Sequence, residues 1–313
     1  MKVLVTGSAG MLGSALVPAL IDAGHSVTAT DIRREHEFPW GGDGPRIEKL
    51  DVRSRAAVES WVARCAPDLV AHLAAETDLE TCELDPDYAF ATNSEGTLHV
   101  AWAVEAAGAR MVYISTAGVF DGTKEGPYTE DDAPNPINVY GESKRRGELL
   151  VEQLVSRHQI VRAGWMVGGG DRDHKFVAKI LNQLRAGART IYAVGDKLGT
   201  PTYAPDFSRC LNGLIERAEG GLYHMACQGR CSRYDVAKKI VAALGLESHV
   251  QVVEVTSDFF DEQFPAPRPR SEMMLNARLE RLGLNTMRPW ETALDEYLQS
   301  AFADLEFENT AIA

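Results

Sequence analysis

The stretch KVLVTGSAGMLG, residues 2–13, joins an apolar run to three glycines spaced GxxGxxG and then to a helical pattern. The apolar run predicts a strand over Lys2–Thr6, and the spacing of leucines predicts a helix over Met11–Ala23. Glycines between a strand and a helix permit a tight turn and let backbone N–H groups approach a pyrophosphate. Asp31 stands eighteen residues past Gly13, at the end of the next apolar run, where an acidic side chain can bond ribose hydroxyls. The stretch therefore predicts a dinucleotide-binding βαβ unit.

The same alternation of short apolar runs and helix-like segments continues along the chain. The further runs are Ser26–Asp31, Arg46–Val52, Leu69–Ala74, Arg110–Thr116, Gln159–Ala163 and Leu222–Ala226. Such alternation predicts an α/β fold, a Rossmann-like doubly wound parallel sheet with helices on both faces. A longer helix is predicted over Thr92–Ala107. Pro18 lies inside the first helical pattern, where a proline costs about 3 kcal/mol, so we expect a kink or a late start there.

The regular rhythm ends near Gly164, and proline- and glycine-rich segments separate less regular pieces after it. We assign residues 1–163 to the dinucleotide-binding domain, with 195–227 returning to it. Residues 164–194 and 228–300 are assigned to a smaller, discontinuous substrate-binding lobe. Residues 301–313 are acidic or small and are expected to form a frayed tail.

The composition excludes several classes of protein. Hydrophobic residues make up 45% and charged residues 25% of the 313, which excludes disordered and collagen-like chains. A formal net charge of −13 argues against binding to nucleic acid or to an anionic membrane surface. No apolar run is long enough to span a membrane, and glycines interrupt the apolar N-terminus, so we expect no targeting segment. The five cysteines form no CxxC pair, which fits a reducing cytoplasm better than a disulfide framework.

The residues around the second and third strands bear on the choice of cofactor. Asp31 favours NAD, because its carboxylate repels a 2′-phosphate. Arg33 and Arg34 pull the other way, since either can fold back onto a 2′-phosphate, and NADP is therefore the alternative. Asp51-Val52, at the end of the third run, is placed to touch adenine.

The segment Tyr140-Gly141-Glu142-Ser143-Lys144 carries the candidate catalytic residues. Residues four apart share a helix face, so Lys144 can lower the pKa of the Tyr140 phenol from its ordinary value of about 10. The hydroxyl of Thr116, at a strand end, can bond a reacting oxygen while Tyr140 delivers or takes its proton. This set suits carbonyl reduction. A second YxxxK, Tyr234–Lys238, lacks such a strand end and is predicted to be a surface helix.

Three other groups that resemble ligand sets are assigned structural roles. Cys227 and Cys231 have no partner pair and are expected to be incidental thiols. His72, within an apolar strand, is expected to be a core histidine bonded to backbone. Asp171–His174 is expected to be a solvated loop near the substrate entrance.

The sequence resembles the extended short-chain dehydrogenase/reductases, and within them the dTDP-4-dehydrorhamnose reductase group, to about Tyr297. Its matching motifs are Gly7/Gly10/Gly13, Ala74–Thr77, Ser115-Thr116, Val119–Gly122, Asn138–Lys144, Gly164-Trp165, Gly199–Thr202 and Arg268–Arg270. Many nucleotide-sugar enzymes share the motifs of the first half. The segments Val119–Gly122, Gly199–Thr202 and Arg268-Pro269 are more specific to the reductases.

The resemblance implies roles for many residues. The implied catalytic residues are Thr116, Tyr140 and Lys144. The implied cofactor-binding residues are Gly7, Gly10, Met11, Leu12, Gly13, Asp31, Ile32, Arg33, Asp51, Val52, Leu73, Ala74, Ala75, Thr77, Asn93, Tyr140 and Lys144. The implied substrate-binding residues are Thr77, Ala117, Gly118, Trp165, Lys175, Phe176, Arg268 and Arg270. An indole such as Trp165 offers a stacking surface, and an arginine fork suits a diphosphate.

Two departures from the family pattern limit the resemblance. Where the rhamnose reductases carry Asp-Tyr after the Ser-Thr, this chain has Ala117-Gly118, so an aromatic hydroxyl and a carboxylate beside the substrate are lost and the sugar can differ. Ser14-Ala15 replaces the acidic residue that some members use for a magnesium-dependent dimer. We therefore expect no metal, while a homodimer remains compatible with this architecture.

The sequence thus predicts an NAD(P)H-dependent reductase that acts on a nucleotide-linked 4-keto-6-deoxy sugar. One alternative is a nucleotide-sugar epimerase or dehydratase with tightly bound NAD, although Ala117-Gly118 supplies no acid/base pair for dehydration. Another is a non-catalytic, cofactor-binding regulatory subunit, as in a relative that binds methionine adenosyltransferase. The intact set of Thr116, Tyr140 and Lys144 argues against that role.

Overall fold

A parallel sheet of seven strands forms the centre of the part of the chain that the structure, a computed structural model, describes: residues 1–33 and 45–302. Arg34 and residues 303–313 lie outside that part. The strands are β1 Lys2–Thr6, β2 Ser26–Asp31, β3 Ile47–Lys49, β4 Leu69–His72, β5 Arg110–Thr116, β6 His158–Ala163, β7 Trp165–Val167, β8 Thr190–Val194, β9 Leu198–Gly199, β10 Pro201–Tyr203, β11 Gly221–Met225, β12 Cys231–Ser232 and β13 Gln251–Val255.

The helices lie between these strands. They are α1 Met11–Asp22, α2 Arg55–Cys65, α3 Leu79–Leu84, α4 Pro86–Phe90, α5 Gly96–Ala106, α6 Val139–Leu154, α7 Phe176–Arg185, α8 Ala204–Arg217, α9 Arg233–Ala243, α10 Ala277–Arg281 and α11 Trp290–Phe302. A π-helical turn, Ala91–Glu95, leads into α5, and single 3₁₀ turns cover Ala117–Val119, Gly170–Arg172 and Ser257–Phe260. None of the helices in the described ranges is long and apolar enough to cross a membrane.

The strand order of the sheet is β3-β2-β1-β4-β5-β6-β11, and every neighbouring pair is parallel. This is the doubly wound order, which reverses between β1 and β4 and opens a crevice at the carboxyl ends of those strands. One face of the sheet packs against α1 and α8, and the other packs against α2, α5 and α6. The predicted fold class is confirmed.

The predicted elements differ from the observed ones mainly at their ends. The third run is a strand only over Ile47–Lys49, and the helix predicted over Thr92–Ala107 begins with the π-helical turn. The expected late start of α1 is wrong, because α1 begins at Met11 and continues through Pro18. Burial of leucines and valines along α1 stabilises the helix despite the N–H that Pro18 lacks.

Three small two-stranded sheets lie outside the large one. They pair β7 with β10, β9 with β12, and β8 with β13. The division of the chain into a dinucleotide-binding domain and a substrate-binding lobe stays a prediction.

A buried ion pair fastens α6 to the sheet. Arg162 of β6 donates from Nε and Nη2 to the two carboxylate oxygens of Glu148 on α6, at 2.8 Å each. Arg145 adds a third bond at 2.7 Å from its Nη1. Both Arg162 and Glu148 are almost completely buried. Burial alone raises the pKa of Glu148, but the bonds from Arg162 and its neighbours bring that pKa below the ordinary value.

We expect Glu148→Leu to lower the free energy of unfolding by about 3–5 kcal/mol, because Arg162 keeps its charge in an apolar interior without a carboxylate. The double variant Glu148→Leu/Arg162→Met removes both charges and should recover most of that loss. Urea denaturation of Glu148→Leu, of Arg162→Met and of the double variant measures the effect. A double variant no more stable than Glu148→Leu alone would contradict the electrostatic explanation.

Candidate active site

The glycine loop after β1 lies closely against the sheet. Gly7 has a φ of +73°, a conformation that favours glycine, and a Cβ on it would lie 2.6 Å from the Ala74 nitrogen. A Cβ on Gly13 would lie 2.5 Å from the Ser8 carbonyl oxygen. Gly7 therefore lets the loop pass close to the residues that follow β4. Gly13 lets the first turn of α1 pack directly against the loop.

The N-terminus of α1 suits an anion. Gly10 caps the helix without a side chain, and the first turn, which includes Met11 and Leu12, has no acidic residue. Its backbone N–H groups therefore carry the positive end of the helix dipole with no carboxylate beside them. This is the arrangement that binds the pyrophosphate of a dinucleotide, and the predicted glycine residues fit such a cofactor.

Asp31, at the end of β2, is buried and bonded to the loop. Its Oδ2 accepts from the Ala9 backbone nitrogen at 3.0 Å. Its Oδ1 accepts from the Arg33 backbone nitrogen at 3.0 Å and from Arg33 Nε at 3.4 Å. Arg33 is otherwise exposed, as is its neighbour Ile32. The Asp31 carboxylate, which was predicted to favour NAD, is thus paired on one side with the guanidinium of Arg33.

Asp51 and Val52, the two residues predicted to contact adenine, differ in their surroundings. Asp51 is bonded through both oxygens to Arg53, which lowers the pKa of the carboxyl. Val52 is buried in the core beneath α5. Only the Asp51 side chain of this pair reaches the surface.

Asn93 fastens the turn after β4 to α6. Its Oδ1 accepts from the Glu76 nitrogen at 2.8 Å, and its Nδ2 donates to the Glu76 carbonyl oxygen and to Ser143 Oγ. The turn's start is bonded to β1 through the nitrogens of Leu73 and Ala74, and Ala75 follows half-buried. Asn93 is fully buried, so the geometry gives it a positioning role, and its direct contact with a cofactor stays a prediction.

His72 is a core histidine, as expected, but its bonds differ from those expected. Its ring nitrogens lie 2.7 Å from Thr6 Oγ1 and 3.1 Å from Thr97 Oγ1, so its partners are side-chain hydroxyls and not backbone groups. Burial lowers the pKa of His72 to about 3, and the ring is neutral.

Helix α6 brings Tyr140 to the end of β5. A Cβ on Gly141 would overlap the Gly118 carbonyl oxygen, so only glycine lets the start of α6 lie against the turn that follows Thr116. Asn138 caps the helix by accepting from the Gly141 nitrogen at 2.7 Å, and its Nδ2 donates to the Pro267 carbonyl oxygen at 2.8 Å. Helix α6 is thereby joined to the proline-rich loop of the C-terminal part.

Two of the three predicted catalytic side chains, Thr116 and Tyr140, meet at this point, and Lys144 stands one turn further along α6. Burial raises the pKa of Tyr140, and a hydrogen bond with Thr116 opposes that rise. Burial lowers the pKa of Lys144 to about 7, and its Nζ lies 4.2 Å from the centre of the Tyr113 ring. The direction for Tyr140 differs from the expected lowering by Lys144, because burial outweighs the other influences on the phenol.

Trp165 follows the end of β6 by two residues and so lies at the carboxyl end of the sheet, where we expect the substrate cleft. Its ring is in contact with protein groups. Gly199 packs against the ring, where a Cβ would overlap it, and the Arg233 Cζ lies 3.8 Å above the ring centre. The indole Nε1 donates to Glu272 Oε2 at 2.7 Å. The predicted stacking surface is therefore covered by a guanidinium in this structure.

Arg233 and Glu272 were not predicted from the sequence. Arg233 begins α9, the helix of the second YxxxK, and Glu272 follows Arg270 by two residues. Each is only half-buried, although burial lowers the pKa of Arg233 to about 10 and raises that of Glu272. In the sequence, these two residues are notable only because they stand beside motifs that were already recognised. That position does not indicate that both side chains contact Trp165.

Lys175 and Thr77 also meet at this cleft. Lys175 Nζ donates to the carbonyl oxygen and to Oγ1 of Thr77, at 3.0 and 3.2 Å. The next residue, Phe176, has its ring 4.9 Å from Arg233 Cζ. The structure thus groups Thr77, Lys175, Phe176 and Trp165 around Arg233.

Arg268, one of the two arginines predicted to line the substrate site, is bonded to protein groups, and its contact with substrate stays a prediction. Arg268 Nη2 is paired with Glu80 Oε1 at 2.5 Å, and its Nη1 donates to the carbonyl oxygens of Phe264 and Ala266. Arg270 is exposed. Arg268 therefore braces its own loop against α3, because an acidic partner distant in sequence takes up its guanidinium.

The remaining groups have structural surroundings. Lys238 of the second YxxxK is exposed, as expected, with its Nζ 5.2 Å from the Tyr234 ring centre. The expectation of a solvated loop is wrong for Asp173, which is buried and accepts from Tyr297 Oη at 2.9 Å. Cys227 and Cys231 are buried free thiols. Within residues 1–33 and 45–302, no three His, Cys, Asp or Glu side chains gather into a metal site; the expected absence of a metal stays a prediction.

Comparisons with known proteins identify the family of this chain. The model of the family described as the RmlD substrate binding domain matches residues 1–302. The dTDP-4-dehydrorhamnose reductase of Streptomyces griseus is 36% identical over 94% of this chain and 91% of its own length. The crystal structure of a dTDP-4-dehydrorhamnose reductase from Clostridium acetobutylicum has a TM-score of 0.84 at 32% identity, covering 96% of this chain and 99% of that one.

A dTDP-4-dehydrorhamnose reductase from Bacillus anthracis, solved in complex with NADP, has a TM-score of 0.83 at 31% identity over 95% of this chain and 98% of its own. The resemblance inferred from the motifs is confirmed, as is the prediction of an NAD(P)-dependent oxidoreductase. The match of the family model over almost the whole chain shows that this protein belongs to the RmlD substrate binding domain family, within the extended short-chain dehydrogenase/reductases.

Proposed function

We propose that this enzyme reduces the keto carbon of a nucleotide-linked 4-keto-6-deoxy sugar, with NADH or NADPH as reductant. The observation that carries the proposal is the hydrogen bond between Thr116, at the carboxyl end of β5, and Tyr140 of α6, with Lys144 one turn further along the same helix. The relatives named as dTDP-4-dehydrorhamnose reductases support the substrate class. A cytoplasmic location, a homodimer, a lack of metal and the two-domain division remain predictions.

Tyr140 acts in this proposal as the general acid. Its raised pKa keeps the phenol protonated at neutral pH, which is the form a proton donor needs. A reduced nicotinamide, when bound, supplies the hydride that forms the new C–H bond. Tyr140 donates its proton to the sugar oxygen, so the C=O becomes CH–OH, and water later returns a proton to the phenolate. Thr116 donates a hydrogen bond to the same oxygen and stabilises its developing charge.

Lys144 balances the charge that Tyr140 acquires. Its pKa of about 7 leaves much of the amine neutral before reaction. A phenolate on the same helix face favours the ammonium form, because an opposite charge nearby raises a lysine pKa. Lys144 is therefore poised to gain positive charge as Tyr140 loses its proton, and to bond the ribose of the cofactor.

Arg233 is the cation best placed for the substrate diphosphate. Arg268 is occupied by Glu80, whereas Arg233 lies over Trp165 beside Lys175 and has N–H groups in excess of that ring contact. A guanidinium can bond phosphate oxygens bidentately. We infer that the diphosphate binds to Arg233 rather than to an Arg268/Arg270 fork.

The proposed reaction predicts stoichiometric loss of absorbance at the reduced-nicotinamide band when the enzyme meets a dTDP-4-keto-6-deoxy sugar and NADH or NADPH. A small panel of such sugars in one plate measures both substrate and cofactor preference. Conversion of the sugar without net oxidation would instead indicate an epimerase or dehydratase. Tight cofactor binding without any conversion would indicate the regulatory-subunit role.

Tyr140→Phe should lower turnover at least about 10²-fold, the usual contribution of a positioned general acid, while cofactor affinity changes little. Steady-state reduction and cofactor titration measure the two quantities. Tyr234→Phe in the second YxxxK is the matched control and should keep its turnover. Near-normal turnover in Tyr140→Phe would remove this residue from the mechanism.

The cofactor preference is set, in this proposal, by Asp31 and Arg33 together. Asp31 accepts bonds from ribose hydroxyls and repels a 2′-phosphate. Arg33 pairs with that carboxylate through Nε only, at 3.4 Å, so its terminal N–H groups can turn to a phosphate. We infer that the enzyme accepts both NADH and NADPH.

Arg33→Ala should raise the KM for NADPH about 10-fold, the worth of a charge-assisted bond, with little change for NADH. Asp31→Asn keeps an acceptor for the Ala9 nitrogen and should shift the preference toward NADPH. The ratio of kcat/KM for the two cofactors measures both changes. If both variants move that ratio in the same direction, the opposed roles of the two residues are wrong.

A further inference from the structure

The carboxylate of Glu272 lies beside the catalytic hydroxyls without a role in the reaction described above. A Cβ built on Gly118 would lie 3.4 Å from Thr116 Oγ1 and 3.6 Å from Glu272 Oε1. The catalytic hydroxyl and the carboxylate oxygen therefore approach the same point in the cleft.

Glu272 is held firmly in this position by its backbone and by one of its two oxygens. Its nitrogen donates to the Leu198 carbonyl oxygen at 2.8 Å, and Leu198 donates in turn to the Arg270 carbonyl oxygen at 2.9 Å. Its Oε2 accepts the 2.7 Å bond from Trp165. A carboxylate placed this way has a fixed direction, so Oε1 is presented to the cleft at a defined place.

The second oxygen, Oε1, has no hydrogen-bond donor among residues 1–33 and 45–302. The Trp165 indole has one N–H and needs only one acceptor, which Oε2 supplies. The contact with Trp165 therefore does not account for the position of Oε1. Burial raises the pKa of this carboxyl above its ordinary value, and the bond from Trp165 and the positive charges of Arg233, Arg268 and Lys197 oppose that rise. An ionised carboxylate is an acceptor only, so a ligand that replaces water at this half-buried oxygen has to present an O–H or N–H donor to it.

A sugar in the proposed orientation brings such a donor. Its keto oxygen bonds to Thr116 and Tyr140, and the hydroxyl on the neighbouring ring carbon is one bond further along the ring. A hydroxyl bonded to Glu272 and a keto oxygen bonded to Thr116 can therefore occupy the space that both protein oxygens border, with ordinary hydrogen-bond lengths of about 2.7 Å.

We propose that Glu272 is a specificity-determining residue, whose Oε1 accepts a hydrogen bond from the sugar hydroxyl on the ring carbon next to the reacting keto carbon. The proposal rests on the proposed function for the identity of the ligand as a keto sugar. It also explains why two residues without polar side chains, Ala117-Gly118, can follow Thr116: the polar group beside the substrate comes from a distant loop.

The test compares two nucleotide-linked keto sugars, one with that neighbouring hydroxyl and one with hydrogen in its place. Wild type should prefer the hydroxylated sugar in kcat/KM by about 10- to 100-fold, the worth of a bond to a charged group. Glu272→Leu should lower that preference to within about 3-fold, while Glu272→Gln, which keeps an acceptor for Trp165, should give an intermediate preference. Glu59→Gln, an exposed carboxylate on α2, is the control and should behave as wild type.

Trp165→Phe distinguishes a role of Glu272 in substrate specificity from a role in supporting Trp165. It removes the bond from the indole to Glu272 but keeps the Glu272 carboxylate. If Glu272 only supports Trp165, then Glu272→Leu and Trp165→Phe will slow both sugars equally and leave the preference intact, which overturns the proposal. Retention of the preference in Trp165→Phe with its loss in Glu272→Leu supports the proposal.

Calorimetric binding of the two reduced, product-type nucleotide sugars distinguishes a failure of this inference from a failure of the proposed function. If wild type oxidises no cofactor with either sugar, the proposed reaction is wrong. A hydroxyl-dependent difference in Kd that Glu272→Leu abolishes still supports the role of Glu272. Equal Kd values for the two sugars on wild type overturn it.

Discussion

The attachment of α6 to the sheet is the constraint on which the active site depends. Two conditions allow the helix to lie where it does: glycines at 141 and 147, whose Cβ atoms would overlap Gly118 and Tyr113, and the buried bonds from Arg162 to Glu148. The glycines set the distance of the helix from β5, and the ion pair sets its rotation. Since Tyr140 and Lys144 stand on this helix, their position relative to Thr116 follows from contacts that do not touch the substrate.

The same helix joins the turn after β4 to the proline-rich loop of the C-terminal part. Asn93 connects Ser143 of α6 to the turn after β4, and Asn138 connects the start of α6 to the loop at Pro267. That loop is held in turn by Glu80, whose carboxylate accepts bonds from Arg268 Nη2 and from the Ala266 nitrogen. Buried and half-buried polar bonds of this kind are satisfied only in one arrangement, so they fix the two walls of the cleft relative to each other.

The sequence allowed the local parts of this arrangement to be predicted, because each depends on neighbours in the chain. The strand, glycine loop and helix at residues 2–22, and the spacing of Tyr140 and Lys144, are of this kind. Arg268 shows where such reasoning stops: the resemblance implied a role at the substrate, but its motif gave no sign that Glu80, far away in sequence, pairs with the guanidinium. Arg233 and Glu272 escaped prediction for the same reason, since only the fold brings α9 and the loop after Arg270 to Trp165.

Electrostatics explains how a chain with a net charge of −13 can receive an anionic substrate. Arg233, Lys175 and Lys197 lie around the cleft, and the charges of Arg233 and Lys197 both act on Glu272. Within the cleft these cations are close to the ligand, whereas the acidic surface is screened over about 8–10 Å at ordinary ionic strength. The diphosphate of the proposed substrate would therefore respond to nearby positive charge and not to the net charge of the protein. The same cations oppose the effect of burial on the pKa of Glu272, and the ionised form that they favour is the one that the proposed selection of a sugar hydroxyl requires.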